Sequence, residues 1–119
     1  MKFPKADPQL AHLLEESLAG LEAHPRPMFG CPAWFAGSHM FAGVFGEYIN
    51  LRLPPGPEQE EIMAAFPGAQ VFEPFPGRRM KEYVSLPGRQ ARDGPAWRRW
   101  LRRSYDYALS LPPKPQKGK

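Results

Sequence analysis

The sequence predicts an α+β fold in two layers, with N-terminal, middle and C-terminal helices packed on an antiparallel β-meander of about four to five strands. Residues 27–53 are rich in apolar side chains and are interrupted by two short glycine-containing turns, which is typical of consecutive hairpins. Leucines at helical spacing precede this stretch, and a tryptophan-bearing amphipathic segment follows it. Because the chain has 119 residues, we expect a single domain over residues 1–111.

The first helix is predicted to begin after Asp7. An aspartate at the N-cap accepts a hydrogen bond from an unpaired backbone N–H, and the fixed φ of Pro8 suits the first turn. Gly20 can take the left-handed conformation that ends a helix, and Pro25 prevents a later continuation. Five leucines form one apolar stripe along this helix: Leu10, Leu13, Leu14, Leu18 and Leu21.

The two turns of the meander predict its register. A turn at Gly37-Ser38 pairs Ala36 with His39, Phe35 with Met40, and Trp34 with Phe41. A turn at Gly46-Glu47 pairs Phe45 with Tyr48, Val44 with Ile49, and Ala42 with Leu51. Both turns together predict one consistent arrangement of side chains on the sheet.

Side chains alternate between the two faces of a strand, so this register sorts the residues into two groups. One face is aliphatic and is expected to be covered by helices: Phe35, Met40, Ala42, Val44, Ile49, Leu51 and Leu53. The other face is aromatic and polar: Trp34, His39, Phe41, Phe45, Tyr48, Asn50 and Arg52. A contiguous exposed aromatic patch would mark a partner site or a homodimer seam, with Trp34, Phe41, Phe45 and Tyr48 as the candidate interface. Alternatively, the C-terminal helix or the Phe72–Phe75 loop covers this face within the monomer.

The second half of the chain is predicted to contain two more helices and one more strand. A short helix begins at Pro57 and turns Ile62, Met63 and Phe66 inward. Residues 71–80 are expected to be irregular, with Phe72 and Phe75 as anchors, and residues 80–86 alternate like a strand. The last helix carries a stripe of six apolar residues: Trp97, Trp100, Leu101, Tyr105, Ala108 and Leu109. Residues 112–119 form a basic tail that is expected to be disordered.

Charge is distributed unevenly. Residues 1–66 carry a net charge of −4 and residues 67–119 a net charge of +8. Four arginines lie opposite the apolar stripe of the last helix: Arg98, Arg99, Arg102 and Arg103. Together with the tail lysines they could neutralise nucleic-acid phosphates, although a solvated helix face has the same spacing.

Residue patterns that indicate catalysis or metal binding are weak. Cys31 could pair with His24 or His39, but a single cysteine is more often a small buried apolar residue. The three histidines lack the spacing of a zinc site, and no phosphate-binding glycine loop is evident. We therefore expect no enzyme activity, no cofactor, no metal and no small-molecule substrate. One cysteine and the lack of a signal or membrane-spanning segment favour a cytoplasmic protein.

Four motifs, in order, resemble the TfoX N-terminal domain family: Met28-Phe29-Gly30-Cys31, Met40-Phe41-Ala42-Gly43, the segment from Gly77 to Val84, and Trp100 followed by Ser110-Leu111-Pro112-Pro113-Lys114. The family usually has a second glycine at the position of Cys31. The resemblance implies helices on an antiparallel sheet and a relation to bacterial competence regulators. Those regulators carry a further C-terminal domain, for which we expect no room in this sequence. The resemblance therefore supports the fold more strongly than it supports a regulatory role.

Two functions remain as hypotheses. The first is a non-catalytic interaction or adaptor module, regulatory or not, that binds a protein partner or itself as a homodimer. The second is weak nucleic-acid binding through the arginine-rich helix and the basic tail. The first is preferred because no known nucleic-acid-binding motif accompanies the arginines.

Overall fold

A computed structural model gives the fold, and it describes residues 5–28, 30–91 and 95–113. The helices are α1 (Pro8–Ser17), α2 (Pro57–Ala65), α3 (Gly88–Ala91) and α4 (Pro95–Ser110). The strands are β1 (His24–Pro25), β2 (Ala33–Ala36), β3 (His39–Phe45), β4 (Tyr48–Arg52), β5 (Gln70–Phe72) and β6 (Met80–Pro87). They form one antiparallel sheet in the order β1-β2-β3-β4-β6-β5. The predicted α+β class is confirmed.

Three short elements were not predicted from the sequence: β1, α3 and β5. Residues 71–80 were predicted to be irregular, but the first two of them belong to β5. The three residues of β5 pair with β6. The pairing shifts register between Val71 and Phe72, so the alternation is broken within the strand itself. Strands this short are held by a distant partner strand, and their own pattern is too brief to identify them.

The predicted start of α1 is confirmed in detail. The Asp7 carboxylate accepts a hydrogen bond from the Gln9 N–H at 3.0 Å, and Pro8 occupies the first turn. The Asp7 N–H donates to the Gly46 carbonyl at 2.9 Å, which ties the start of α1 to the β3–β4 turn. Leu10 and Leu14 are buried against the sheet.

The hairpin registers are confirmed except at one pair. All three pairs predicted beyond the Gly46-Glu47 turn are present, as are the two pairs nearest the Gly37-Ser38 turn. The third pair beyond that turn is wrong, because Trp34 lies opposite Ala42 and not opposite Phe41.

A β-bulge explains the difference. Phe35 pairs with Met40 and its neighbour Trp34 pairs with Ala42, so Phe41 is an extra residue on β3. In such a bulge two successive residues oppose one partner, and the alternation of side chains shifts by one position beyond it. Phe41 and Ala42 consequently contribute to the same side of the sheet, while Met40 contributes to the other.

Each face of the sheet has its own core. The larger core joins residues of α1, α2 and α4 to the sheet and includes Trp34, Phe41, Ala42, Val44, Ile49, Leu51, Leu53, Trp97, Trp100, Leu101 and Tyr105. The smaller core on the second face contains Ala33, Phe35, Met40, Phe72 and Tyr83, with Met28, Phe45 and Met80 at its margin. The predicted aliphatic face is therefore correct from Ala42 onward and wrong for Phe35 and Met40.

The chain ends lie only partly within the described residues. Of the predicted tail, Pro112 and Pro113 are described, and residues 114–119 lie outside the described part. In the described part of the chain, no helix has both the length and the hydropathy needed to cross a membrane.

Candidate functional site

Two of the four residues of the candidate interface are interior residues. Trp34 is 7% exposed and Phe41 is fully buried. The Phe41 ring meets the Tyr105 ring of α4 edge to face at 5.1 Å, and the Ser104 hydroxyl donates to the Phe41 carbonyl at 2.5 Å. Because helices occupy this side of the sheet, Trp34 and Phe41 belong to the monomer core, and Trp34 keeps only a small exposed edge beside α1. The bulge at Phe41 is the physical reason.

Phe45 and Tyr48 lie on the second face, at the β3–β4 turn. Phe45 is half-buried, and its ring meets the Phe72 ring of β5 edge to face at 5.1 Å. Tyr48 is 40% exposed and is one of two large apolar side chains on the surface of the described chain, the other being Leu109. These two predicted interface residues are accessible at their shared turn.

A surface groove of about 420 Å³ adjoins these two rings; we call it the turn groove. Its lining residues are Lys5, Phe45, Gly46, Glu47, Tyr48, Gln70, Phe72, Glu73 and Ser85. The Ser85 hydroxyl is buried and donates to the Asn50 side-chain oxygen at 2.7 Å, so the polar pair on adjacent strands is satisfied internally. The groove is thus bounded by aromatic rings, one lysine and two carboxylates.

A network of polar side chains, not found by sequence reasoning, joins the sheet to the C-terminal segment. The Arg52 guanidinium donates twice to one Glu82 oxygen, at 2.8 and 2.6 Å, and lies 5.4 Å from the Tyr83 ring centre. The Tyr107 hydroxyl of α4 donates to the same Glu82 oxygen at 3.4 Å. The sequence feature that could have indicated this network is the presence of Arg52 and His39 among aromatic residues on one predicted face of the sheet. Such residues need partners when they are covered.

His39 connects this network to the end of α4. An arginine can only donate, so the contact of 3.3 Å between Arg52 and His39 Nδ1 requires that nitrogen to accept. His39 Nε2 then carries the proton and donates to the Pro112 carbonyl at 2.7 Å. The network therefore holds the segment after α4 against the start of β3.

Two tyrosines of this region have shifted acidities. Burial raises the pKa of the Tyr83 phenol, Arg52 lowers it in part, and the negative charge of Glu82 raises it again. Burial also raises the pKa of the Tyr107 phenol, and Glu82 beside it acts in the same direction. Both phenols therefore stay neutral donors further into the alkaline range than free tyrosine does.

The four arginines predicted to bind nucleic acid are all exposed on α4. Arg102 donates to the Asp106 carboxylate at 3.1 Å, and Arg103 lies 3.6 Å from the Glu61 carboxylate of α2. Arg103 also lies over the Trp100 ring at 4.6 Å. Leu109, predicted to belong to the buried stripe of this helix, is 53% exposed on the outer side instead.

The residues weighed for catalysis or metal binding lie in different surroundings. Cys31 is buried, His24 is exposed in β1, and His39 belongs to the Arg52 network. The described residues contain no group of three or more histidine, cysteine and acidic side chains that could hold a metal ion.

The turn around Cys31 accounts for a residue other than glycine there. Met28 and Cys31 exchange two backbone hydrogen bonds, at 2.8 and 3.0 Å. Gly30 provides the positive φ that this tight turn requires, at 74°. Cys31 itself is 3% exposed, so its side chain contributes to the interior.

The architecture defines a small α+β domain with helices on an antiparallel sheet. A sequence model of the TfoX N-terminal domain matches residues 16–108, and the chain therefore belongs to this family. Comparison with curated proteins finds no match, and comparison with solved structures finds none either.

Proposed function

We propose that this protein is a small cytoplasmic interaction module without catalytic activity, which acts as an adaptor and pairs with a second copy of itself through the turn groove. The observation that carries the proposal is the position of Tyr48, an exposed ring at the rim of a groove bounded by Phe45 and Phe72. Exposed aromatic residues beside a concave apolar surface are typical of protein-binding sites.

A second copy is the partner that this surface fits best. A two-fold interface uses the same patch on both chains, so the patch must be complementary to itself. The turn groove has a protruding ring and a concave surface side by side, which allows Tyr48 of each copy to enter the groove of the other. It also has a lysine beside two carboxylates, so Lys5 of one copy can face Glu47 or Glu73 of its partner.

The accessible area predicts a weak dimer. Complete burial of an aromatic side chain removes about 200 Å², so the exposed two fifths of Tyr48 offers roughly 80 Å². At about 25 cal/mol per Å², two such rings contribute roughly 4 kcal/mol. Association costs at least about 4 kcal/mol in lost translation and rotation, so the remainder of the groove must supply the net affinity. We expect a dissociation constant in the micromolar range or weaker.

Sedimentation equilibrium of the full chain, from about 10 μM to about 1 mM, tests the proposal. We expect a concentration-dependent dimer that Tyr48→Asp abolishes, because the substitution places a charge in the interface. The matched control is Leu109→Asp, which adds the same charge at the other exposed apolar position and should leave the dimer intact. A native protein that is monomeric over the whole range, or a dimer that resists Tyr48→Asp, contradicts the proposal.

The second candidate function is weak nucleic-acid binding. It is supported by the exposure of Arg98, Arg99, Arg102 and Arg103 along one side of α4. Binding through phosphate contacts falls steeply with salt, because condensed counterions are released. A titration of labelled mixed-sequence DNA at low and raised salt tests it, and the absence of binding at low salt would remove it.

A further inference from the structure

The four arginines of α4 form two unlike pairs. The C-terminal pair, Arg102 and Arg103, is satisfied within the monomer: each has a carboxylate partner, and their guanidinium groups lie over the Tyr105 and Trp100 rings at 5.9 and 4.6 Å. These contacts orient both side chains on the surface of the monomer. The two carboxylates also lower the net positive charge that this pair offers to a ligand.

The N-terminal pair, Arg98 and Arg99, has no such contacts with the part of the chain that the structure describes. Both side chains are exposed, and among the described residues no carboxylate lies within ion-pair distance of either and no ring lies beneath either guanidinium. Among the described residues, two positive charges without an opposite partner therefore lie near the N-terminal end of α4.

This arrangement is locally unfavourable for the helix. The N-terminus of a helix is the positive end of its dipole and disfavours cations, and the first turn of α4 has no acidic residue to compensate. Arg98 and Arg102 are like charges four residues apart, as are Arg99 and Arg103, and such pairs destabilise helices. A surface feature that opposes helix stability without a compensating contact among the described residues is a candidate for binding.

We propose that Arg98 and Arg99 are the phosphate contacts of the second candidate function and bind the backbone of duplex DNA without regard to sequence. The inference rests on that candidate function. Arginine is suited to phosphate because its planar fork donates two hydrogen bonds to one phosphate group.

The surroundings of Arg98 and Arg99 favour a nucleic-acid duplex over an acidic protein and over a single-stranded nucleic acid. A protein interface has a core of apolar residues, but the exposed large apolar residues of the described chain are Tyr48 at the β3–β4 turn and Leu109 at the opposite end of α4. Single-stranded nucleic acids are bound through exposed aromatic rings, whereas Trp97 and Trp100 of α4 are buried. Backbone contact with a duplex requires neither feature.

Two double variants of the full chain test the assignment with the same change of charge on the same helix. Arg98→Gln with Arg99→Gln removes the proposed contacts, and Arg102→Gln with Arg103→Gln is the matched control. Fluorescence anisotropy with a labelled mixed-sequence duplex of about 20 base pairs, over a series of salt concentrations, measures affinity and its salt dependence. Circular dichroism confirms that both variants remain folded.

For the first variant we expect affinity at low salt to fall at least about tenfold and the slope of log K against log salt to decrease by roughly 2, since two phosphate contacts are lost. Its thermal midpoint should stay the same or rise, because a repulsion is relieved. The control should change affinity by less than about threefold, since each arginine of that pair lies beside a carboxylate that repels phosphate.

Other outcomes overturn the assignment in distinguishable ways. If the native protein binds DNA and both variants lose affinity equally, general charge explains binding and the Arg98–Arg99 assignment is wrong. A polyglutamate peptide that competes as well as unlabelled duplex would replace DNA with an acidic protein as the partner. If the native protein does not bind the duplex at low salt, the second candidate function itself fails.

Discussion

The two faces of the sheet are covered in different ways. On the helix-covered face, side chains from α1, α2 and α4 surround strand residues, and Phe41, Ile49 and Leu51 have no exposed surface. The second face has a smaller core, closed by Phe72 of β5 and by Met28, and its margin leaves Phe45 half-buried and Tyr48 exposed. The difference indicates that stability is concentrated on the first face and that accessible apolar surface remains on the second.

The largest expected effect compares one phenylalanine from each face. Phe41→Ala should lower the free energy of unfolding by about 3–5 kcal/mol, because it leaves a cavity beneath α4. Phe45→Ala should cost about half as much, since its ring is already partly in solvent. Urea denaturation of both variants measures the difference, and equal losses would show that the two faces stabilise the fold alike.

The polar network at the end of the sheet should matter more than an exposed ion pair. Glu82→Gln should lower the free energy of unfolding by about 1–2 kcal/mol, because the Arg52 side chain, only 15% exposed, loses its charged partner. Asp106→Asn removes the exposed partner of Arg102 and should cost less than about 0.5 kcal/mol. If Glu82→Gln lowers the free energy of unfolding as little as Asp106→Asn does, solvent screens the Arg52–Glu82 and Arg102–Asp106 pairs equally.

Alkaline pH should weaken the second face through Tyr83. Its folded-state pKa is raised above the unfolded value, so the stability linked to its neutral form is complete below about pH 10 and is lost as pH rises through the folded-state pKa. The urea midpoint of the native protein should therefore fall above pH 10. Tyr83→Phe should show a smaller alkaline decline.

The same substitution has a cost at neutral pH. It removes the hydrogen bond of 3.1 Å from the Tyr83 hydroxyl to the Met40 carbonyl, which should lower stability by about 1 kcal/mol. Tyr107→Phe serves as a comparison, because burial and Glu82 also raise the pKa of the Tyr107 phenol, which donates to the Glu82 carboxylate from α4. If the alkaline decline is unchanged in Tyr83→Phe, another group is responsible for it.

The smallest expected effect concerns the outer side of α4. Leu109→Ser should change the free energy of unfolding by less than about 0.5 kcal/mol, because the side chain is 53% exposed. Leu101→Ala, at a position 2% exposed on the same helix, should cost about 2–5 kcal/mol. Thermal unfolding of both variants checks the contrast, and a large loss for Leu109→Ser would show that it contacts more than its exposure indicates.

Local rules were sufficient wherever neighbours in sequence decide the structure. The start of α1 follows from Asp7 and Pro8, and the pairs next to each tight turn follow from the position of its glycine. The buried stripe of α4 follows from helical spacing, except at Leu109 near its end. In each case the interacting groups lie within a few residues of one another.

The candidate site was predicted less well, because one extra residue changed the assignment of faces. Trp34 and Phe41 were placed on the second face by strict alternation, and the bulge at Phe41 moved both into the helix-covered core. The bulge turns the Trp34 and Phe41 side chains toward the helix-covered core. The sequence of residues 39–45 does not indicate where the bulge occurs. Phe45 and Tyr48, which pair with each other across the Gly46-Glu47 turn and lie beyond the bulge, stayed on the predicted face.

The sequence by itself determined the α+β class, the main helices and hairpins, and the family, since these depend on local spacing and turn chemistry. The tertiary structure alone decided the phase of β3, the pairing of β5 with β6, and the contacts of Arg52 with His39 and Glu82. Those features join residues far apart in the chain, so their free energy depends on how α4 and the sheet fit together and has no signature in any single segment.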